Sequence, residues 1–165
     1  MSKVGKDVLS YSFPKRSLRL SREEIVKKLL KKKITNVHYT KDRITLKFDG
    51  KILSNEIVIK KHEPWTGSFD RYQNIVYIDN DIPQKFRPTE SIHETLEKYV
   101  AKEYGLDPDA EGHEFAETKE MLLYSEMHPD TGEKDWIEYG KIVERVHRKE
   151  MAYIHGKVYD HFKTG

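Results

Sequence analysis

The hydrophobic period of the chain changes near Pro88 from a mainly strand-like to a helix-like pattern, and this change most constrains the fold. Before Pro88, apolar and polar residues alternate along four short segments, which is the period of half-buried β-strands. After Pro88, apolar residues recur every three or four positions, as they do in amphipathic helices. A strand-rich part followed by a helical part predicts an α+β protein. The four predicted strands lie at 37–39, 43–48, 52–59 and 74–79.

Local signals organise the strand-rich part further. Ser21 followed by Glu24 is typical of a capping box, so we predict a helix from Ser21 through Lys33. Turn residues separate the next three strands, most clearly Asp49-Gly50, and predict an antiparallel meander. Residues 62–73 contain proline, glycine and aromatic residues, and we predict an ordered loop there, ahead of the fourth strand.

Three helices are predicted after the change of period. The first is capped by Thr89 and stopped by Gly105, the second opens at Pro108 or Asp109, and the third covers about 135–162. The complete prediction is an N-terminal helix and a small antiparallel sheet of about four strands, followed by three helices. One domain of 165 residues holds all of these elements. Its parts are a partly irregular segment at 1–20, the helix and sheet at 21–79, and a helical half at 88–163.

Composition excludes several classes of protein. The chain has no cysteine, which rules out disulfides, cysteine-ligated zinc and a thiol nucleophile. No apolar run approaches the ~18 residues that a membrane-spanning helix needs, and the first residues lack the apolar core of a signal peptide. We therefore expect a cytoplasmic protein. Many charged residues together with no cysteine also favour a heat-adapted source.

Charge is distributed unequally along the chain. Residues 1–61 carry 17 Lys and Arg against 6 Asp and Glu, whereas residues 62–165 carry 13 against 22. A basic segment can bind the phosphates of nucleic acid, or it can complement an acidic part of the same fold. The best candidates for nucleic-acid contacts are five lysines of the N-terminal helix region, Lys27, Lys28, Lys31, Lys32 and Lys33.

The chemistry-bearing motif is His93-Glu94-Thr95-Leu96-Glu97 on the first late helix. His93 and Glu97 are four residues apart, so both side chains lie on one helix face and can bind the same metal ion. The adjacent Glu94 is placed to act as a general base, as in metallopeptidase helices with two zinc ligands. A carboxylate is an acceptable zinc ligand, although Glu97 shifts the preference slightly towards manganese or iron.

The second late helix repeats this pattern. His113, Glu117 and Glu120 share one helix face, and a short linker favours antiparallel packing against the first late helix. The two sets of side chains would then meet in a mononuclear or dinuclear metal site, with either Glu117 or Glu120 as the carboxylate of the second helix. A solvated, charged helix surface is the alternative interpretation of each single pair.

Other residues allow more than one interpretation. Asp79 and Asp81 are either second-metal or supporting ligands or, as we favour, turn residues at a strand end. Trp136 and Tyr139 are expected to anchor the core, and the Tyr139 hydroxyl is a lesser candidate for a transition-state hydrogen bond. No nucleophile elbow for Ser-His-Asp catalysis and no glycine-rich phosphate loop occur in the sequence.

The segment Ile75–Asp79, then Ile82-Pro83 and then 87–94 resembles the strand, loop and active helix of zincin-like metallopeptidases of the ImmA/IrrE kind. The region 61–120 is also similar to uncharacterised proteins of phages, plasmids and archaeal mobile elements that carry an HExxE helix. A further similarity to those proteins lies at 134–139. The resemblance covers about half of the chain.

The resemblance implies His93 and Glu97 as metal ligands, Glu94 as the base, and His113 with Glu117 or Glu120 as ligands from the next helix. Glu97 stands where the peptidases have a second histidine. The implied function is a metal-dependent, zinc-binding hydrolase or peptidase. Two alternatives remain: a zincin that retains the fold without activity, and a non-enzymatic nucleic-acid or protein-binding factor of a mobile element, in which the His/Glu clusters are structural.

Overall fold

The structure is a computed structural model and describes residues 20–63 and 65–164. Nearly all of the segment predicted to be irregular, 1–20, therefore lies outside the described residues. Four α-helices and five β-strands occur in the described part, which confirms the α+β class. The helices are α1 Arg22–Leu30, α2 Arg87–Tyr104, α3 Glu111–Met127 and α4 Gly132–Thr164, with a 3-10 turn at Gln84–Phe86 before α2. The strands are β1 Thr35–Thr40, β2 Arg43–Phe48, β3 Lys51–Lys60, β4 Gly67–Phe69 and β5 Ile75–Asp79.

The five strands form one sheet in the order β1-β2-β3-β5-β4. β1, β2 and β3 are the predicted antiparallel meander. The β2–β3 turn uses left-handed backbone at both Asp49 and Gly50, as a two-residue hairpin turn requires. The sheet departs from the prediction in two details: β5 pairs with β3 in parallel, and β4 is an additional, antiparallel edge strand inside the predicted loop.

The helix α1 confirms the predicted capping box. The Ser21 hydroxyl accepts a hydrogen bond from the Glu24 backbone N–H, and the Glu24 side chain accepts one from the Ser21 backbone. Leu29 is buried, and the neighbouring apolar residues of α1 pack against the core. The helix ends at Leu30, before the predicted end at Lys33, and the Lys119 ammonium of α3 donates to the Leu30 carbonyl (2.9 Å) and to the Lys32 carbonyl.

The helix α2 is the centre of the molecule. Every residue from Thr89 to Val100 is buried, because α2 packs on the sheet with one side and on α3 with another. It ends as predicted at Gly105, whose left-handed backbone (φ 66°) glycine adopts without strain. The predicted cap at Thr89 is wrong: Phe86 precedes the helix, and Pro88 occupies the first turn, where its missing N–H costs nothing.

The remaining helices complete the core. α3 begins at Glu111, slightly later than predicted, and α4 continues from Gly132 through Gly140 and Gly156. On α4, Ile142 and Val146 are buried in this core. In the described part of the chain, the helices are too short or too polar to cross a membrane.

Candidate metal centre

Three side chains from two helices converge on one point. His93 Nε2 lies 2.9 Å from Glu97 Oε2 and 3.1 Å from His113 Nδ1, and His113 Nδ1 lies 3.1 Å from the same Glu97 oxygen. Two imidazole nitrogens and one carboxylate oxygen thus form a compact triangle. These donors are the ones that zinc binds in proteins when cysteine is absent. The structure brings together three of the five ligands that the sequence predicts.

Antiparallel packing of α2 and α3 creates this meeting point. Along α2 the chain advances from His93 to Glu97, and the α3 partners of these two residues go backwards from Glu120 to His113. The direction of packing is the one that the short linker predicts. His93 and Glu97 face α3 because they are one helical turn apart on the same side of α2.

The other two predicted ligands, Glu120 and Glu117, lie beside the second ring nitrogens of His93 and His113, outside the triangle. Glu120 Oε1 is 3.3 Å from His93 Nδ1, and Glu117 Oε2 is 3.8 Å from His113 Nε2. Neither carboxylate belongs to the triangle of donor atoms. Each faces the imidazole nitrogen that points away from the triangle. Glu120 is buried, whereas the Glu117 side chain is 57% exposed. A carboxylate on the second nitrogen of a ligating histidine fixes the tautomer and the orientation of the ring.

One side of the triangle is open to solvent. The His93 and Glu97 side chains are only 8% and 11% exposed, but the His113 side chain is 50% exposed. Water or a substrate could therefore reach a metal ion that is bound to this half-exposed imidazole. Catalytic metal sites keep such an open position, while structural sites are closed by four protein ligands.

Glu94 lies beside the triangle in contact with the edge strand. It is buried, and its Oε2 has no hydrogen-bond partner among the residues that the structure describes. A β-carbon added at Gly67 of β4 would be 2.9 Å from Glu94 Oε1 and 2.5 Å from Glu90 Oε1. Glycine at this position therefore allows the β4 backbone to approach both carboxylates closely.

Glu90 is a buried member of the cluster that the sequence prediction missed. The Thr66 hydroxyl donates to Glu90 Oε1 (3.2 Å), and the buried Tyr139 hydroxyl of α4 donates to Glu90 Oε2. The helical spacing could have indicated Glu90, because it lies one turn before His93 and Glu94 on the same face of α2. Tyr139 is the buried anchor that was predicted, and its hydroxyl is engaged by Glu90.

The electrostatics of the cluster follow from its burial. Burial alone opposes the charged form of His93, but the adjacent carboxylates, Glu120 first, outweigh it and raise the His93 pKa well above its ordinary value. Burial raises the Glu94 pKa well above normal, and it raises the Glu120 pKa to about 7 against the opposing effect of His93. Burial also acts to raise the Glu97 pKa, but hydrogen bonds to His113 and His93 prevail and lower it.

The second acidic group of the fold surrounds the end of β5. Asp79 accepts hydrogen bonds from the backbone N–H groups of Glu63 (3.0 Å) and Asp81 (2.8 Å), which is the turn chemistry that we favoured from the sequence. One carboxylate oxygen each of Asp79, Asp81 and Glu150 lie within 4.8 Å of one another. Lys149 pairs with Asp81, and His62 Nδ1 lies 2.9 Å from Glu150 Oε2, so two of these carboxylates already have partners within the fold.

The lysines proposed for nucleic-acid contacts lie on or just after α1. Lys27, Lys28, Lys31 and Lys33 are exposed. Lys32 is also exposed, but it forms an ion pair with Asp49 of the β2–β3 turn. These lysines are far along the sequence from the metal centre, and their exposure is that of any solvated helix surface.

Comparisons with known proteins found no significant match to this chain, whether among family models, curated proteins or solved structures. The resemblance to zincin-like metallopeptidases therefore stays a prediction from the sequence.

Proposed function

We propose that this protein binds a divalent transition-metal ion, zinc before manganese or iron, through His93, Glu97 and His113, and that it acts as a metal-dependent hydrolase of the metallopeptidase-like type. The observation that carries the proposal is the convergence of one donor atom from each of these residues within 4.8 Å. Two of the donors come from α2 and one from α3, so the site depends on the packing of the two helices.

The buried carboxylates beside the donor atoms also favour a bound cation. Glu94 Oε2 and Glu120 Oε2 are buried without a hydrogen-bond partner, and Glu90 lies in the same cluster. Buried carboxylates of this kind are costly unless a cation or protons compensate them. A divalent cation between α2 and α3 would provide that compensation.

Within this proposal Glu120 supports His93. It accepts a hydrogen bond from the Nδ1 side of the ring, which leaves Nε2 free to ligate. Glu117 would orient the His113 ring in the same way, although it is farther from the ring and is exposed to solvent. The half-exposed face beside His113 would be the entry point for water and substrate.

Glu94 is proposed as the general base. When bound, the metal would supply Lewis-acid polarisation of a substrate carbonyl. Glu94 would accept a proton from the attacking water, a role that suits a buried carboxylate with a raised pKa. Gly67 of β4 would restrict the position of Glu94 from the sheet side, because its backbone closely approaches the Glu94 carboxylate.

Metal analysis tests the binding part of the proposal. Protein purified without a histidine tag and dialysed against a limited excess of zinc should retain about one zinc ion per chain. His113→Ala should lose most of the metal and remain folded, because this half-exposed helical position tolerates alanine. His38→Ala, which removes an exposed histidine of β1, is the matched control and should retain the metal. Absence of bound zinc in the folded wild-type protein would refute the proposal.

Nucleic-acid binding is the alternative function. It is supported by the exposure of Lys27, Lys28, Lys31 and Lys33, whose positive charges lie on one short stretch of chain. A double substitution of Lys31 and Lys33 by Gln should then weaken the retardation of DNA or RNA in a gel, and higher salt should weaken it further. Retardation that is unchanged by the substitutions, or absent from the start, would remove this alternative.

A further inference from the structure

A cavity of about 330 Å³ lies between β3 and α2, on the side of α2 opposite to the metal centre. Its α2 residues, Thr95, Lys98 and Lys102 among them, are about 100–180° around the helix from His93 and Glu97, since successive residues rotate by about 100°. The volume is at the lower end of the range for small-molecule pockets. This cavity is therefore independent of the proposed metal site.

Lys98 is a buried cation at this cavity. The residue is 8% exposed, and its ammonium donates to the Asn55 side-chain oxygen (3.3 Å) and to the Gln73 carbonyl. Both acceptors are neutral, and no carboxylate pairs with Lys98 within the described residues. An ammonium has three N–H donors, so one remains for a further partner. Asp70 is near enough to favour the charged form of Lys98, but it forms no ion pair with it, so the buried ammonium still favours an anion at its remaining donor.

The surroundings of Lys98 are fixed rather than adaptable. Asn55 is buried, and its amide donates to the Thr95 hydroxyl (3.1 Å), which holds its carbonyl oxygen towards Lys98. Burial also lowers the pKa of Lys98, and a bound anion would counteract this effect. The lysine is thus held in one position before any ligand arrives.

The net charge around the cavity is positive. Lys51 and Lys102 join Lys98 in its lining, and the one acidic lining residue, Glu103, is paired with Lys51 at 3.3 Å. The excess of two positive charges suits the dianionic form of a phosphate group. Ile52, Leu53 and Tyr99 form an apolar part of the wall, and Ile52 is 75% exposed there.

We propose that this cavity binds a small phosphate-bearing molecule, with Lys98 and Lys102 on the phosphate and Ile52 and Tyr99 against the remainder of the ligand. The proposal goes beyond the hydrolase function and needs no metal. It assigns a role to a buried lysine that the proposed metal chemistry does not use.

Calorimetric titration at constant ionic strength tests the proposal. The probes are inorganic phosphate, ribose 5-phosphate, adenosine monophosphate and, as a carboxylate dianion, succinate. At least one organic phosphate should bind more tightly than inorganic phosphate, because it also contacts the apolar wall, and succinate should bind about tenfold or more weakly than that phosphate.

Variants locate the binding. Lys98→Met keeps the length of the side chain without its charge and should weaken binding about tenfold or more, and Lys102→Met should weaken it to a smaller extent. Lys141→Met, at an exposed position on α4, is the matched control and should bind as the wild type does. His113→Ala should also bind normally, which separates this proposal from the metal site.

Three results would overturn the proposal. The first is the absence of saturable binding of every phosphate probe at millimolar concentration. The second is equal weakening in Lys98→Met and Lys141→Met, which would show a general charge effect. The third is binding of succinate as tight as that of the best phosphate. Circular dichroism of each variant establishes that it is folded before it is titrated.

Discussion

At the scale of single residues, His93 is the residue on which the candidate site depends. Its two ring nitrogens face different partners: Nε2 faces Glu97 and His113, and Nδ1 faces Glu120. A histidine held in this way has one nitrogen for a metal and the other for an orienting carboxylate. Glu94, the next residue along the chain, is buried with an unpartnered oxygen, which sets it apart from the three converging donors.

Replacing Glu94 by Gln tests its role as the base. The amide keeps the shape of the side chain but cannot accept the proton, so hydrolysis should fall by about 10²–10⁴-fold while zinc content is unchanged. The measurement is cleavage of a mixture of unstructured peptides by the zinc-loaded protein, followed by mass spectrometry. Zinc binding without any cleavage by the wild-type protein would instead favour the alternative of a metal-binding protein without hydrolase activity.

Gly67 yields a second prediction at this scale. A methyl group there would press on the Glu90 and Glu94 carboxylates, so Gly67→Ala should destabilise the protein by about 1–3 kcal/mol in urea unfolding. Gly140→Ala is the control, because a β-carbon at that helical position meets nothing within 4 Å and should stabilise the protein by about 0.5–1 kcal/mol. If both variants were stabilised, β4 would not lie against the two carboxylates.

At the scale of secondary-structure elements, the β2–β3 turn connects three parts of the fold. Asp49 in this turn pairs with Lys32, just after α1, and accepts hydrogen bonds from the hydroxyl groups of Tyr99 (2.7 Å) and Tyr104 on α2. One carboxylate thus ties the hairpin to two helices. Burial opposes its charge, but the bonds from Lys32, Tyr104 and Tyr99 outweigh burial and lower the Asp49 pKa to about 2.

Replacing Asp49 by Asn should remove this charged contact and leave the turn intact, because asparagine tolerates the left-handed backbone found there (φ 55°). The lowered pKa means that the carboxylate stabilises the protein above its ordinary pKa, and that this stabilisation is lost as the pH falls towards 2. We therefore expect a loss of about 2 kcal/mol at pH 7 that shrinks between pH 4 and pH 2.

Urea unfolding at a series of pH values measures this difference. Asp42→Asn, in the neighbouring β1–β2 turn, is the control, since no cationic side chain pairs with Asp42 among the described residues. A difference between Asp49→Asn and the wild type that stays constant down to pH 2 would contradict the assigned contacts.

At the scale of the whole molecule, the acidic second part of the chain is organised around α2. The helix lies between the sheet and α3, and it buries three carboxylates, Glu90, Glu94 and Glu97, along one face instead of leaving them in solvent. The basic first part supplies the meander and α1. Among the described residues, two of its ion pairs cross to the rest of the chain: Arg22 pairs with Glu111 of α3 (2.9 Å), and Lys51 pairs with Glu103 of α2 (3.3 Å).

A metal that joins α2 to α3 should stabilise the complete fold. Zinc at about 100 times its dissociation constant should add about 2.7 kcal/mol to the free energy of unfolding, because it binds the folded state alone. Thermal unfolding with and without zinc measures the effect, and Glu97→Gln should show much less of it. An equal rise in melting temperature in His113→Ala would mean that zinc stabilises the protein from another place.

Sequence alone predicts the α+β class, the capping box of α1, the β1–β3 meander and the helix faces that carry the His/Glu pairs. These features follow from local periodicity and turn chemistry, which act over a few residues. Tertiary structure alone decided that β4 forms an edge strand, that β5 lies parallel to β3, that Glu90 and Gly67 stand beside Glu94, and that Glu120 faces the far nitrogen of His93. The period of a segment shows which side is buried, but the neighbour on that side comes from distant parts of the chain.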